Sequence, residues 1–128
     1  MRYLLDTHTF LWWVFDIPKL GPRAREIMAS PSSELLLSAA SAWEISIKWS
    51  LGRLQLAKPP AEFVPQQMAA NNINPLVVEV AHALKVAELQ RHHRDPFDRM
   101  LAAQALVEGL PILSSDDILA KYGVEVIS

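Results

Sequence analysis

There is no cysteine among the 128 residues, so disulfides and thiolate metal sites are both excluded. A reducing compartment is compatible with that composition, and the cytoplasm is the expected location. A surplus of one charge is missing too: 12 Lys and Arg stand against 14 Asp and Glu. With no global basic field, nucleic-acid binding would need a local basic face. No apolar stretch approaches the roughly 18 uninterrupted residues of a membrane span, so no membrane association is expected. The opening run MRYLLDTHTFLWWVF is broken early by Asp6 and His8 and lacks the basic, apolar, small-residue order of a signal peptide. Repeats, low-complexity tracts and flexible linkers are absent as well. The simplest organisation is one domain over residues 1–128, and an apolar fraction of 51% is enough for a real core.

What is present alternates between short apolar runs and longer helical patterns. Arg2 to Leu5, Glu34 to Leu37, Leu76 to Val78, Pro111 to Leu113 and Glu125 to Ile127 read as strands. Helices are expected over Thr7 to Phe15, Arg23 to Ser30, Ala39 to about Leu51, about Ala61 to Asn71, and Val80 to Leu89. Pro65 falls in the first turns of the fourth, which would then start late or bend. Asn72 to Pro75 reads as a loop and Asp116 to Lys121 as a short helix. The clearest helix lies in RHHRDPFDRMLAAQALVEGLP, where Asp95 is a good N-cap, Pro96 a first-turn residue and Gly109 a terminator. Strands alternating with helices imply an α/β sandwich with a mostly parallel sheet, whose ligands bind beyond the carboxyl ends of the strands.

Carboxylates stand where these segments begin or end. Asp6 follows the first strand, and Asp116 and Asp117 follow the fourth; Glu44 and Asp98 lie in early turns of the helices after strands or caps. Each has an ordinary explanation. Asp6 can cap a helix, Glu44 can pair with Lys48 at i,i+4, and Asp98 complements a helix dipole. Asp95 and Asp98 divide the work, the first holding the helix end and the second free for chemistry. Spacing does not choose between Asp116 and Asp117. Acids converging at one crevice repel unless a cation sits among them, and few carboxylates completed by waters and substrate phosphate are how oxygen-ligand Mg²⁺ or Mn²⁺ sites are built. Such a site supports phosphodiester hydrolysis.

Four segments in order, YLLDTHTFLWW, SAASAWEISIKWSLGRL, HHRDPFDRMLAAQALVEGLPILSSDD and KYGVEVIS, give the chain a resemblance to the PIN-domain ribonucleases, specifically the VapC-like toxins of type II toxin–antitoxin systems. The likeness runs over essentially the full length. It implies a three-layer α/β/α PIN fold and a Mg²⁺- or Mn²⁺-dependent endoribonuclease. It places the family's acidic quartet on Asp6, Glu44, Asp98 and Asp116, favouring Asp98 over Asp95 and Asp116 over Asp117. Ser114 takes the hydroxyl place that Thr more often fills, and can still donate to a ligand or carboxylate. The resemblance further implies a VapB-like antitoxin that blocks the site, and a homodimer.

On this reading an activated water attacks the scissile phosphate, and no side-chain nucleophile is required. Lys48, Arg53, Arg91, Arg94 and Arg99 are candidates to meet the RNA backbone, Arg99 foremost because it follows Asp98. His8, His92 and His93 match no zinc spacing; His92 and His93 are expected to touch substrate or brace the loop before Asp95. Of Trp12, Trp13, Trp43 and Trp49, most are expected in the core and some on a partner groove. Three rivals remain. A non-catalytic PIN-like module should lack a quartet member, and none is missing. A metal-dependent phosphatase or DNA nuclease shares the acidic chemistry. A receiver-type signalling domain should carry a Lys beyond a late strand, where this chain has serines and aspartates.

Overall fold

Leucines and isoleucines in adjacent pairs shape the sheet. Successive strand residues point to opposite faces, so Leu4 and Leu5, Leu36 and Leu37, and Ile112 and Leu113 each bury one side chain on either side. Strands apolar on both faces are what a parallel sheet covered by helices requires. The computed structural model describes Met1–Ser128 and bears this out. Strands β1 (Arg2–Leu5), β2 (Glu34–Ser38), β3 (Ile73–Leu76), β4 (Ile112–Leu113) and β5 (Val126–Ile127) form one sheet in the order β3-β2-β1-β4-β5, and every pairing is parallel.

Helices α1 (Thr7–Val14), α2 (Pro22–Ala29), α3 (Ala39–Ser50) and α4 (Pro60–Ala70) bury Phe10, Leu11, Ala24, Ile27, Met28, Ile45, Phe63 and Val64 with one face of the sheet. Helix α6 (Pro96–Glu108) buries Leu101, Ala102 and Ala105 with the other, beside Leu119 and Val124. The short α5 (Val80–Lys85) continues as a 3-10 turn over Val86–Glu88, and Asp117–Tyr122 is also 3-10. Helix, sheet and helix make three layers.

Two expectations shift. The third strand is Ile73–Leu76 and not Leu76 to Val78, so the expected loop at Asn72 to Pro75 is mostly strand. Pro75 is tolerated because β3 is an edge strand with β2 as its sole neighbour, and an edge leaves one row of N–H positions unused. Val77 and Val78 are exposed. Helix α4 begins at Pro60 and runs through Pro65 instead of starting late.

The chain moves outward from β1 to β2 and β3, then returns to place β4 and β5 on the other side of β1. The strand order therefore switches direction between β1 and β4, which is where open α/β sheets form a crevice.

Candidate functional site

Register alone brings the first two groups together. Leu5 pairs with Leu113, so the residues just beyond them, Asp6 and Ser114, leave the sheet side by side. The Asp6 backbone N–H donates to the Leu113 carbonyl at 3.0 Å. The Ser114 hydroxyl donates to Asp6 Oδ2 at 2.7 Å and accepts from the Asp116 backbone N–H at 3.0 Å. Asp6 occupies the N-cap position of α1, yet its side chain makes no capping bond. Its carboxylate faces the crevice, buried to 6% exposure. Burial raises its pKa above the ordinary carboxylate value; the Ser114 hydroxyl and the His8 charge oppose this, and Glu44 adds to it.

Strand β2 supplies the next wall. Its last residue, Ser38, caps α3 by accepting from Ala40 N–H at 3.0 Å. The first turns of α1 and α3 are joined by the Thr7 hydroxyl donating to Ser41 Oγ at 2.8 Å. Glu44, one turn further along, is 5% exposed. A buried carboxylate needs a counter-charge, and Lys48 Nζ lies 2.7 Å from Glu44 Oε2. The i,i+4 pair is present, with its acid in the interior and not on the surface. Lys48, expected at the RNA backbone, has its ammonium on Glu44.

Helix α6 brings the third acid. Asp95 is its N-cap, accepting from Phe97 N–H at 2.8 Å and Asp98 N–H at 3.3 Å. Asp98 is left without a hydrogen-bonded or ionic partner of its own side chain. Its pKa is raised to about 7, first by burial, then by the charges of Asp95 and Asp6; His93 lowers it and Glu44 raises it. Asp98 thus lies close enough to Asp6 and Glu44 to feel both charges.

The fourth acid comes with a histidine. Asp116 Oδ1 accepts from Ile118 N–H at 3.0 Å, capping the following 3-10 turn. Asp116 Oδ2 lies 2.7 Å from His93 Nε2, a contact whose direction is set by the imidazole tautomer. The His93 backbone N–H donates to Tyr122 Oη at 2.9 Å, and the same oxygen lies 2.9 Å from His93 Nδ1. Sequence reasoning expected His93 to touch substrate or brace the loop before Asp95, and it gave Tyr122 no role. The HH pair before Asp95 was the available signal, but nothing in linear spacing tells that an imidazole faces a carboxylate 23 positions later.

The other expected positions fall in three places. Asp117 is exposed beside the crevice, and so are Arg53, Arg91 and Arg94 at the surface. Arg99 is a correction. Its guanidinium is buried and donates to the carbonyls of Gln90 at 3.0 Å, Val86 at 3.1 Å and Leu89 at 3.5 Å. Those bonds hold the segment before α6, so the guanidinium is turned to the frame. Trp12 and Trp13 pack on the core, whereas Trp43 is 64% exposed and meets the Phe97 ring edge-on at 5.2 Å.

The donor chemistry fits a divalent cation. Four carboxylates enter one crevice, with a single ammonium among them, and one of the acids is held near pKa 7 by burial and by its acidic neighbours. Hard oxygen donors of that kind suit Mg²⁺ or Mn²⁺.

Comparison with known proteins agrees with this architecture. A family model described as PIN domain matches residues 3–125. Ribonuclease VapC16 of Mycobacterium tuberculosis (strain ATCC 25618 / H37Rv) is 45% identical over 58 residues, which cover 45% of this chain and 41% of that protein. The match thus spans less than half the length of the curated relative. Among solved structures, VapBC2 from Rickettsia felis, bound to a DNA fragment from its promoter, superposes with a TM-score of 0.73 at 13% identity, covering 99% of this chain and 98% of that one. VapBC-1 from nontypeable Haemophilus influenzae gives 0.69 at 17% identity, covering 100% and 98%. At such identities the structural likeness concerns the fold.

Proposed function

The chain belongs to the PIN domain family, and from that premise we propose that it is a VapC-like toxin: a divalent-metal-dependent endoribonuclease of the cytoplasm, folded as one domain and held inactive by a VapB-like antitoxin. The observation that carries the proposal is the convergence of Asp6, Glu44, Asp98 and Asp116 at the sheet's switch point, with Asp98 left unpaired and near pKa 7.

The reading assigns the holding of Mg²⁺ or Mn²⁺ to these four carboxylates. Such a cation, when bound, supplies charge to polarise a water and the scissile phosphate. Ser114 fixes the Asp6 carboxylate, and Lys48 holds the Glu44 carboxylate in its buried position. Asp95 sets the start of α6 and thereby aims Asp98. Arg94 and Arg53, exposed and without an ion pair, are the basic side chains assigned to the RNA backbone. Attack by water, not by the 2′-hydroxyl, leaves 5′-phosphate and 3′-hydroxyl ends.

The antitoxin is proposed from the resemblance and from the VapBC structures whose fold the chain shares. A homodimer is part of the same reading: Trp43, Val77, Val80 and Leu84 are exposed apolar side chains of the kind an interface covers, and sedimentation across a concentration series checks it. No helix is long and apolar enough to cross a membrane.

Total cellular RNA incubated with Mg²⁺ or Mn²⁺ should yield discrete fragments with wild-type chain. EDTA and the Asp98→Asn substitution should each abolish them. Intact RNA after treatment with folded, metal-loaded, antitoxin-free protein, or cleavage of DNA instead, would overturn the assignment.

A further inference from the structure

The acidic quartet accounts for four groups in the crevice, and the structure adds a fifth of different chemistry. One donor atom each from His93, Asp98 and Asp116 lies within 4.8 Å of the others. We propose that His93 is a metal ligand, so that His93, Asp98 and Asp116 form a mixed nitrogen–oxygen position that takes Mn²⁺, or another first-row cation that accepts imidazole, in preference to Mg²⁺. This rests on the reading of the crevice as a metal centre and deepens it.

Spacing is the first argument. Donors about 2.1 Å from a six-coordinate ion sit about 3 Å apart when adjacent and about 4 Å apart when opposite. His93 Nε2 and Asp116 Oδ2 are already 2.7 Å apart, and the whole set spans 4.8 Å, so slight movement brings three donors to one ion.

The imidazole is also held as a ligand needs to be. Its side chain is 9% exposed, and its ring stacks on Tyr122 with centroids 5.5 Å apart and planes at 17°. The phenolic oxygen beside Nδ1 has two lone pairs. It accepts the His93 backbone N–H with one and is placed to accept Nδ1–H with the other. A neutral imidazole carries one ring proton. With that proton on Nδ1, toward Tyr122, the lone pair of Nε2 faces the crevice. Metal-bound histidines have such a partner on the remote nitrogen, which fixes tautomer and ring orientation.

Preference follows from donor type. Mg²⁺ is hard and dehydrates reluctantly, favouring oxygen, while imidazole suits the later first-row cations. A position with one nitrogen should discriminate where an all-carboxylate position would not.

The alternative is that His93 only braces Asp116 by donating a hydrogen bond, and the two differ in one observable. Mn²⁺ bound to the purified chain, read by pulsed electron paramagnetic resonance, should show echo modulation from a coupled ¹⁴N nucleus. The pattern should change when histidine alone is labelled with ¹⁵N, a result that needs no variant. It should vanish in His93→Gln and persist in His8→Gln, which alters the exposed imidazole two residues from Asp6. Loss of an outer-shell partner costs about tenfold in metal affinity, so His93→Gln should raise the Mn²⁺ Kd by at least about tenfold, and the Mg²⁺ Kd by less. Bound Mn²⁺ without nitrogen coupling, coupling unaltered by labelled histidine, or coupling retained in folded His93→Gln would overturn the ligand role and leave the carboxylate centre standing. Absence of Mn²⁺ binding to the wild type would overturn both.

Discussion

At the scale of single residues, the crevice is a set of carboxylates at different degrees of compensation. Glu44 has Lys48, Asp116 has His93 and a helical N–H, Asp6 has a serine hydroxyl, and Asp98 has nothing. With no partner to offset it, burial first, and then the charges of Asp95 and Asp6, raise the Asp98 pKa from 3.8 to about 7. A carboxyl that binds its proton more tightly when folded favours the fold while protonated. Its contribution is fully present below the unfolded value and is lost as pH climbs through the folded one. Cation-free wild type should therefore lose stability relative to Asp98→Asn between about pH 4 and pH 7 and then level off. Linkage sets an upper bound of about 4 kcal/mol on the difference, less whatever solvent screening removes at this partly exposed group. Urea midpoints of the two proteins in EDTA at closely spaced pH values measure it. Parallel curves would show that neither burial nor neighbouring charge disfavours the Asp98 carboxylate. The same residue illustrates what sequence could give. Its place three positions after a proline-led cap marks a first-turn acid, but the isolation of its side chain depends on what Asp95 and Lys48 are already bonded to.

At the scale of elements, Arg99 shows how a motif position can serve the frame instead of the ligand. Helix α6 leaves the crevice with Asp98 on one side and, one residue on, Arg99 on another. The guanidinium ties the carbonyls of Val86, Leu89 and Gln90, which lie in the connection from α5. Removing a charged donor strands buried acceptors, so Arg99→Ala should cost about 2 kcal/mol in unfolding free energy. RNA affinity, measured with an inactive Asp98→Asn background where the protein is fully folded, should stay within about twofold, because the guanidinium is engaged with backbone carbonyls, whereas loss of a phosphate contact would weaken binding in a salt-dependent way. A shallower salt slope without loss of stability would restore Arg99 to the RNA. Helices and central strands were legible because periodicity, caps and the paired leucines all point the same way: Asp95, Pro96 and Gly109 bound α6 where expected. Strand β3 was not. Asn74 and Pro75 look like a loop, and the apolar Val77 and Val78 look like a strand. The edge position of β3, which forgives a proline, is a property of the assembled sheet and not of the segment.

At the scale of the whole molecule, the proposed metal centre is a junction. Residues 6, 44, 98 and 116 come from the ends of β1 and β4, from α3 and from α6, so both helical layers and the sheet meet there. An unfolded chain holds no such constellation, so a cation that binds it binds the folded state alone. At a concentration 100 times its Kd it should add about 2.7 kcal/mol. For a domain of this size that is a rise in melting temperature of about 10 °C. Thermal unfolding in MnCl₂, compared with NaCl at matched ionic strength, separates specific binding from charge screening. Wild type should show the rise in MnCl₂ only. Asp98→Asn should start from a higher melting temperature in EDTA, because its repulsion is gone, and gain much less on adding Mn²⁺, because a ligand is gone with it. The two effects have opposite signs and one origin, so they test the site as a unit. Equal gains in both proteins would mean that the cation binds elsewhere. Equal gains from both salts would mean that the crevice needs only diffuse positive charge.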